Sequence, residues 1–175
     1  MKMKMKVLMA WSLLLLIVLS GCSQKRSDLG DYLVADVPMI YESFLLFPER
    51  ESLNSCSVEQ YQSETYSTLM FDDIYFLLRC GYSEAQMEQE LERFQGLGAE
   101  YNEDLFMYPA YVMLFDGQNY EYALIDEGTG QIVYVAAMTV DFEVGSELYG
   151  RVHKDFPADH RPVKRPDEAI NKYVA

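Results

Sequence analysis

The chain has 175 residues, a length typical of one folded domain, and a formal net charge of −14. This acidic balance argues against a nucleic-acid partner and against adsorption to an anionic membrane, because both need clustered cations. Half of the residues are hydrophobic and 14% are aromatic, which excludes a disordered acidic tail.

Residues 1–21 have the pattern of an export signal. Lys2, Lys4 and Lys6 give a positive start, and Val7–Leu19 is an apolar run of 13 residues interrupted by one serine. A helix of that length spans about 20 Å, less than the roughly 30 Å hydrocarbon core, which favours a cleaved signal over a membrane-spanning anchor. All acidic residues follow the signal, so the remainder has three fewer positive charges and a net charge of −17.

The signal ends in Leu19, Ser20, Gly21 and Cys22, which resembles the lipobox of bacterial lipoproteins: a branched apolar residue, two small residues and a cysteine. The resemblance covers residues 1–22. It implies a diacylglyceryl group on the Cys22 thiol, cleavage before this residue, and an amine that is a further site for a fatty chain such as palmitate. Two or more chains anchor stably, at about 0.8 kcal/mol per buried methylene. The alternative is an ordinary secretory signal that is cut elsewhere.

The lipobox implies a location at the cell membrane, on its extracytoplasmic face. Residues 22–31 are predicted to be a lipidated tether, and residues 32–175 a single domain. About nine flexible residues span roughly 17 Å, so the domain is expected close to the lipid surface. Ser23 permits export to the outer membrane of a two-membrane bacterium, whereas in a Gram-positive cell the protein would face outward, and the sequence leaves both hosts open.

The first half of the domain contains three candidate strands. Ser43–Phe47 is a strand candidate that Pro48 closes, and Val58–Tyr66 is a weaker, edge-strand candidate. Asp73–Cys80 is apolar enough for either a buried strand or a short helix.

The clearest helix is predicted over Glu84–Leu97. Ser83 is the expected N-cap, and Gln86 completes a capping box with it. Three apolar residues then repeat at helical spacing along one face, namely Met87, Leu91 and Phe94.

A meander of three antiparallel strands is predicted next, over Tyr111–Phe115, Tyr120–Ile125 and Gln131–Met138, because the turns between them are short. The third strand is apolar in both side-chain registers, so both of its faces should be covered. The helix is expected to cover one face, and the N-terminal segment or the C-terminal tail the other. The fold class is therefore predicted as α+β with a mostly antiparallel sheet.

Three blocks are similar to segments of uncharacterised lipoproteins of Gram-positive bacteria: Tyr108–Tyr111, Tyr120–Leu124 and Ile132–Val135. The resemblance covers about the middle third of the chain. It implies a location in the cell envelope and no particular chemistry.

The motifs of common catalytic and metal sites do not occur in the sequence. His153 and His160 are the two histidines, and no G-x-S-x-G motif accompanies them, so both are interpreted as solvated surface residues. The scattered cysteines and histidines do not have zinc-ligand spacing, and Asp126–Gly130 is interpreted as a hairpin turn rather than a calcium loop. We therefore expect neither a metal nor a cofactor.

Cys56 and Cys80 are the thiols that remain once Cys22 carries lipid. In an exported chain they are candidates for a disulfide, which would close a 25-residue loop and stabilise the fold by about 3.5 kcal/mol on the chain-entropy account. The alternative is two unpaired cysteines, with Cys80 packed as a small apolar residue.

Tyrosine is over-represented, with 14 residues. Tyr101, Tyr108, Tyr120 and Tyr122 are candidates for a recognition patch, because tyrosine combines an apolar ring with a polar tip. The alternative, which we favour, is a core and sheet surface rich in tyrosine.

The sequence favours a non-catalytic lipoprotein that binds a protein, peptide or small ligand in the envelope. The alternative is a small envelope hydrolase that uses paired carboxylates, such as Asp72–Asp73 or Glu103–Asp104, in a pocket that raises their pKa values. A third reading is an envelope-assembly factor with an exposed apolar patch. The ligand, the pathway and the oligomeric state are left open.

Overall fold

The computed structural model describes residues 22–27, 44–67, 72–115 and 119–138. Within these ranges the chain forms seven strands and one α-helix, α1 (Glu84–Gly96), with a short 3-10 helix at Arg50–Ser55. The strands are β1 (Cys22–Arg26), β2 (Ser57–Ser67), β3 (Asp72–Gly81), β4 (Glu100–Asn102), β5 (Ala110–Phe115), β6 (Asn119–Asp126) and β7 (Gln131–Met138). None of the helices in these ranges combines the length and the apolar character needed to cross a bilayer.

The seven strands form one antiparallel sheet in the order β1-β2-β3-β7-β6-β5-β4. The predicted meander is present as β5, β6 and β7. Its last strand pairs with β3 from Ile74↔Met138 to Gly81↔Gln131, which places β3 and β7 in the interior of the sheet. The predicted α+β class and the mostly antiparallel sheet are confirmed.

The central position of β3 explains its sequence. Tyr75, Phe76, Leu77 and Leu78 are consecutive and all buried. A strand directs successive side chains to opposite faces, so such a run fits a strand that is covered on both sides. The neighbouring strands therefore decide between the strand and the short helix that the sequence allowed.

The segment around Leu46 is a bend, although the sequence favours a strand at Ser43–Phe47. Phe44, Leu46 and Phe47 are buried, whereas Leu45 is 49% exposed. Side chains, rather than a neighbouring strand, satisfy this backbone: Glu121 accepts the N–H of Leu46, and Arg93 donates to the carbonyls of both leucines. The prediction of a strand is wrong here because it depended on apolar residues alone.

The backbone of β1 lies within the predicted tether, residues 22–31. It pairs with the end of β2, with Cys22 opposite Ser67 and Arg26 opposite Ser63. The strand predicted over Val58–Tyr66 is therefore not at the edge of the sheet. The predicted signal peptide, residues 28–31 of the tether and residues 139–175 lie outside the described ranges.

Both faces of β7 are buried, as its sequence indicates. Ile132, Tyr134 and Ala136 join the cluster under α1, which also receives the helix residues Met87 and Phe94 and the bend residues Phe44, Leu46 and Phe47. Val133, Val135 and Ala137 join the opposite cluster. There, Leu105 and Phe106 of the β4–β5 connection pack on the sheet, and the Phe106 and Tyr122 ring centroids lie 4.3 Å apart. The bend residues of the N-terminal segment thus lie on the same face of the sheet as α1, not on the opposite face. The C-terminal tail, the other candidate to cover that opposite face, lies outside the described residues.

The helix begins as its sequence predicts. The Ser83 backbone N–H donates to Gln86 Oε1 at 2.9 Å, and the capping box is complete. One turn further on, the i, i+4, i+7 stripe begins and faces the sheet: Met87 and Phe94 are buried, and Leu91 is partly buried against the same cluster.

Candidate functional site

A groove of about 830 Å³ lies beside α1, between the helix and the β6–β7 turn. Its apolar part comes from Tyr82, Met87 and Leu91, which are buried or half-buried. Exposed carboxylates flank this part, from Glu84, Glu88 and Glu92 on the helix and Glu127 on the β6–β7 turn. The groove therefore joins an apolar floor to an acidic rim.

The three helix glutamates lie on one face because they repeat at i, i+4 and i+8. Like charges at this spacing destabilise a helix by about 0.2–0.5 kcal/mol per pair. The basic residue of α1, Arg93, does not compensate them, because its guanidinium binds Glu90 and the bend at Leu45 and Leu46. The acidic rim is thus available to a ligand cation.

The β6–β7 turn is fixed to the start of α1. The Tyr82 N–H donates to the Gly130 carbonyl at 2.8 Å. Gly130 has φ +69°, and a Cβ atom there would lie 3.0 Å from the Tyr82 carbonyl oxygen. The turn predicted at Asp126–Gly130 is confirmed over residues 127–130, and its glycine brings Glu127 to the groove.

A chain of hydrogen bonds connects this side of the helix to the core. The hydroxyls of Tyr82 and Tyr134 lie 2.6 Å apart, and the Tyr134 hydroxyl donates to Glu90 Oε1 at 2.7 Å. Burial raises the pKa of both tyrosines well above the ordinary value, so the hydroxyls stay neutral. Arg93 completes the chain by binding both carboxylate oxygens of Glu90. Burial alone would lower the pKa of Arg93, but the bond and charge of Glu90 raise it.

A second groove, of about 430 Å³, opens beside the first and shares Tyr82 and Gly130 with it. Half-buried Cys56 lines this groove, whereas Cys80 is fully buried. The structure brings these two predicted site residues together as free thiols that hydrogen-bond to each other. This contact lowers the pKa of Cys56 and raises that of Cys80.

Glu121 is the buried carboxyl of β6 and lines neither groove. Its Oε1 accepts the Leu46 N–H at 2.5 Å, and its Oε2 has no partner among the described residues. Burial raises its pKa to about 7, against the opposing effects of the Leu46 N–H and the charge of Arg93. Its position indicates a role in holding the bend rather than in contacting a ligand.

The other sequence candidates are dispersed. Tyr122 is buried, Tyr108 is half-buried and Tyr101 is 49% exposed, so these three rings do not form one surface patch. Glu103 and Asp104 are exposed in the β4–β5 connection, where Tyr101 donates to Glu103 at 3.1 Å.

Four further predictions stay outside what the structure describes. Cys22 is placed by its backbone in β1, but its side chain is not described, and neither are the side chains of Asp72, Asp73 and Tyr120. His153 and His160 lie beyond the described residues. Sequence reasoning did not identify the groove itself, although the spacing of the three helix glutamates was a visible signal.

No protein-family model, curated protein or solved structure matches the chain. In the ranges that the structure describes, no group of three or more histidine, cysteine, aspartate or glutamate side chains could hold a metal ion.

Proposed function

We propose that this chain is a lipid-anchored extracytoplasmic protein whose domain binds a basic peptide segment of an envelope partner, without catalysis, in the groove along α1. The observation that supports this function is the combination of an apolar floor and four exposed carboxylates in one groove of about 830 Å³. Ligand pockets commonly combine apolar surface with polar or charged groups that orient the ligand.

The spacing of the carboxylates selects the form of the ligand. Residues four apart on a helix rise by about 6 Å, and Glu84, Glu88 and Glu92 follow this repeat. In an extended peptide, side chains on one face repeat every roughly 6.5 Å. Lysine or arginine at alternate positions of an extended peptide would therefore match the acidic rim.

The floor adds affinity that charge alone would not give. Ion pairs between exposed groups contribute about 0.2–1 kcal/mol each and are screened by salt. Apolar side chains of the peptide that cover Met87 and Leu91 contribute by burial, about 25 cal/mol per Å². An alternating basic and apolar peptide satisfies both requirements.

The proposed anchor fits this role. Lipid at Cys22 would hold the domain near the membrane surface, while its net charge of −17 outside the signal disfavours contact with anionic headgroups. The groove would then remain open to a partner in the envelope.

Titration calorimetry of the full chain in neutral detergent, with a short peptide that alternates lysine and leucine, tests the proposal. The variant Glu84→Gln/Glu88→Gln/Glu92→Gln should weaken binding about tenfold or more, since three ion pairs are lost. A matched control with the same charge change, Glu100→Gln/Glu103→Gln/Asp104→Asn, alters exposed residues away from the groove and should retain the affinity. Equal weakening by the two triple variants, or no binding of the peptide, would refute the proposal.

A further inference from the structure

The paired thiols differ in access. Cys80 is fully buried on the helix side of β3, opposite Val58 of β2. Cys56 comes just before β2, diagonal to Cys80, and its thiol reaches the groove of about 430 Å³. A molecule in that groove can therefore meet Cys56, whereas Cys80 is buried and does not line the groove.

Local bonds hold Cys56 in this position. Its N–H donates to the Leu53 carbonyl at 3.4 Å, and its thiol donates to the same oxygen at 3.5 Å. The contact between the thiols makes Cys56 the more readily ionised of the two, and the thiolate is the attacking form.

The walls of the groove suit a small polar ligand. Hydroxyl and amide groups line it, from Ser57, Ser83, Gln86 and Thr129. Its volume is in the range that accommodates small molecules.

We propose that Cys56 and Cys80 form a thiol–disulfide exchange site, in which Cys56 reacts with a low-molecular-weight polar disulfide in the groove and Cys80 resolves the product. This site is separate from the groove carboxylates of α1, and the proposal does not depend on peptide binding.

The reaction has two balanced steps. In the first, the Cys56 thiolate attacks one sulfur of R–S–S–R, so that a Cys56–S–S–R bond forms, the R–S–S–R bond breaks and RS⁻ leaves. In the second, Cys80 loses its proton and attacks the Cys56 sulfur, forming the Cys56–Cys80 disulfide and releasing the second RS⁻. The two protein thiols are oxidised by two electrons, the external disulfide is reduced to two thiols, and the two protons pass to the released thiolates.

The test uses the full chain, reduced, freed of reductant and exposed to oxidised glutathione as the external disulfide. Peptide mapping by mass spectrometry reads Cys22, Cys56 and Cys80 separately. In the unaltered chain, samples quenched early should carry glutathione on Cys56, and later samples the Cys56–Cys80 bridge. A bridge that forms with no preceding adduct on Cys56, or an adduct on Cys80 first, would overturn the proposal.

Two single variants add a rate comparison. In Cys80→Ala the mixed disulfide should accumulate on Cys56, and in Cys56→Ala the remaining Cys80 should react at least about tenfold more slowly. In denaturant both variants should react alike, which controls for intrinsic reactivity. If both variants unfold cooperatively and their thiols react at equal rates in the absence of denaturant, the assignment of Cys56 as the attacking thiol is contradicted. If a variant does not fold, the quenched time course of the unaltered chain tests the order of reaction instead.

Discussion

Glu121 in β6 accepts a hydrogen bond from the backbone N–H of Leu46, a residue 75 positions earlier in the chain, at 2.5 Å. The same leucine presents its carbonyl to Arg93 of α1. The backbone of this one residue is therefore held by the sheet through its N–H and by the helix through its carbonyl. This arrangement encloses the cluster under α1, the helix that lines the proposed binding groove.

The buried carboxyl makes stability depend on pH. Burial raises the pKa of Glu121 in the folded state to about 7 from its ordinary value of 4.5, so the folded state holds the proton more tightly than the unfolded state. Its contribution is fully present below about pH 4.5 and is lost as the pH rises through about 7, a change on the order of 3 kcal/mol. Urea unfolding at pH 5 and pH 8 should show this loss in the unaltered chain. Glu121→Gln should make the loss of stability between pH 5 and pH 8 smaller, whereas Glu103→Gln, an exposed control, should leave it unchanged. Identical pH dependence in all three chains would contradict the assignment to Glu121.

Arg93 is expected to stabilise the fold through the bend and through Glu90. Arg93→Met removes the bonds to the Leu45 and Leu46 carbonyls and leaves Glu90, which is 12% exposed, without its cation. We expect a loss of about 2–3 kcal/mol in the free energy of unfolding, measured with urea. In the Arg93→Met variant, Glu90→Gln should reduce the free energy of unfolding by less than it does in the unaltered chain, because it removes a carboxylate charge that has lost its cation. Strict additivity of the two changes would argue against this coupling.

Gly130→Ala tests the link between the β6–β7 turn and α1. The positive φ and the 3.0 Å approach to the Tyr82 carbonyl oxygen both oppose a side chain, so a loss of about 1–2 kcal/mol is expected. The matched control is Gly96→Ala, where a Cβ atom meets nothing within 4 Å at the end of α1, and it should be neutral or stabilising. Thermal unfolding measures the melting temperature of each variant, and that of Gly130→Ala should be the lower. Equal melting temperatures would count against a strained turn.

The lipobox resemblance makes a chemical prediction for Cys22. Mass spectrometry of the protein isolated from its own membranes should find a diacylglyceryl thioether on this residue, with residues 1–21 removed. Cys22→Ala should lose the modification and shift the protein from the membrane to the soluble or unprocessed fraction, because the acyl chains provide the anchoring. A free sulfur on Cys22 in the natural product would exclude the anchor.

Local elements were predictable because their signals lie within short windows of sequence. The capping box of Ser83 and Gln86 and the stripe ending at Phe94 locate α1 to within one residue, since helix capping and periodicity act over a few positions. The two apolar registers of β7 likewise indicated a strand that is covered on both faces.

The tertiary structure decided what depends on distant partners. Position in the sheet made Asp72–Gly81 a strand, and side chains from α1 and β6 made the apolar residues at 44–47 a bend. The groove needs Glu127 beside α1, and the thiol pair needs Cys80 behind Cys56, and neither spacing is a sequence motif. Hydrogen bonds and periodicity within a few residues can be read from the chain itself, whereas contacts across dozens of residues exist only once the strand order brings those residues together.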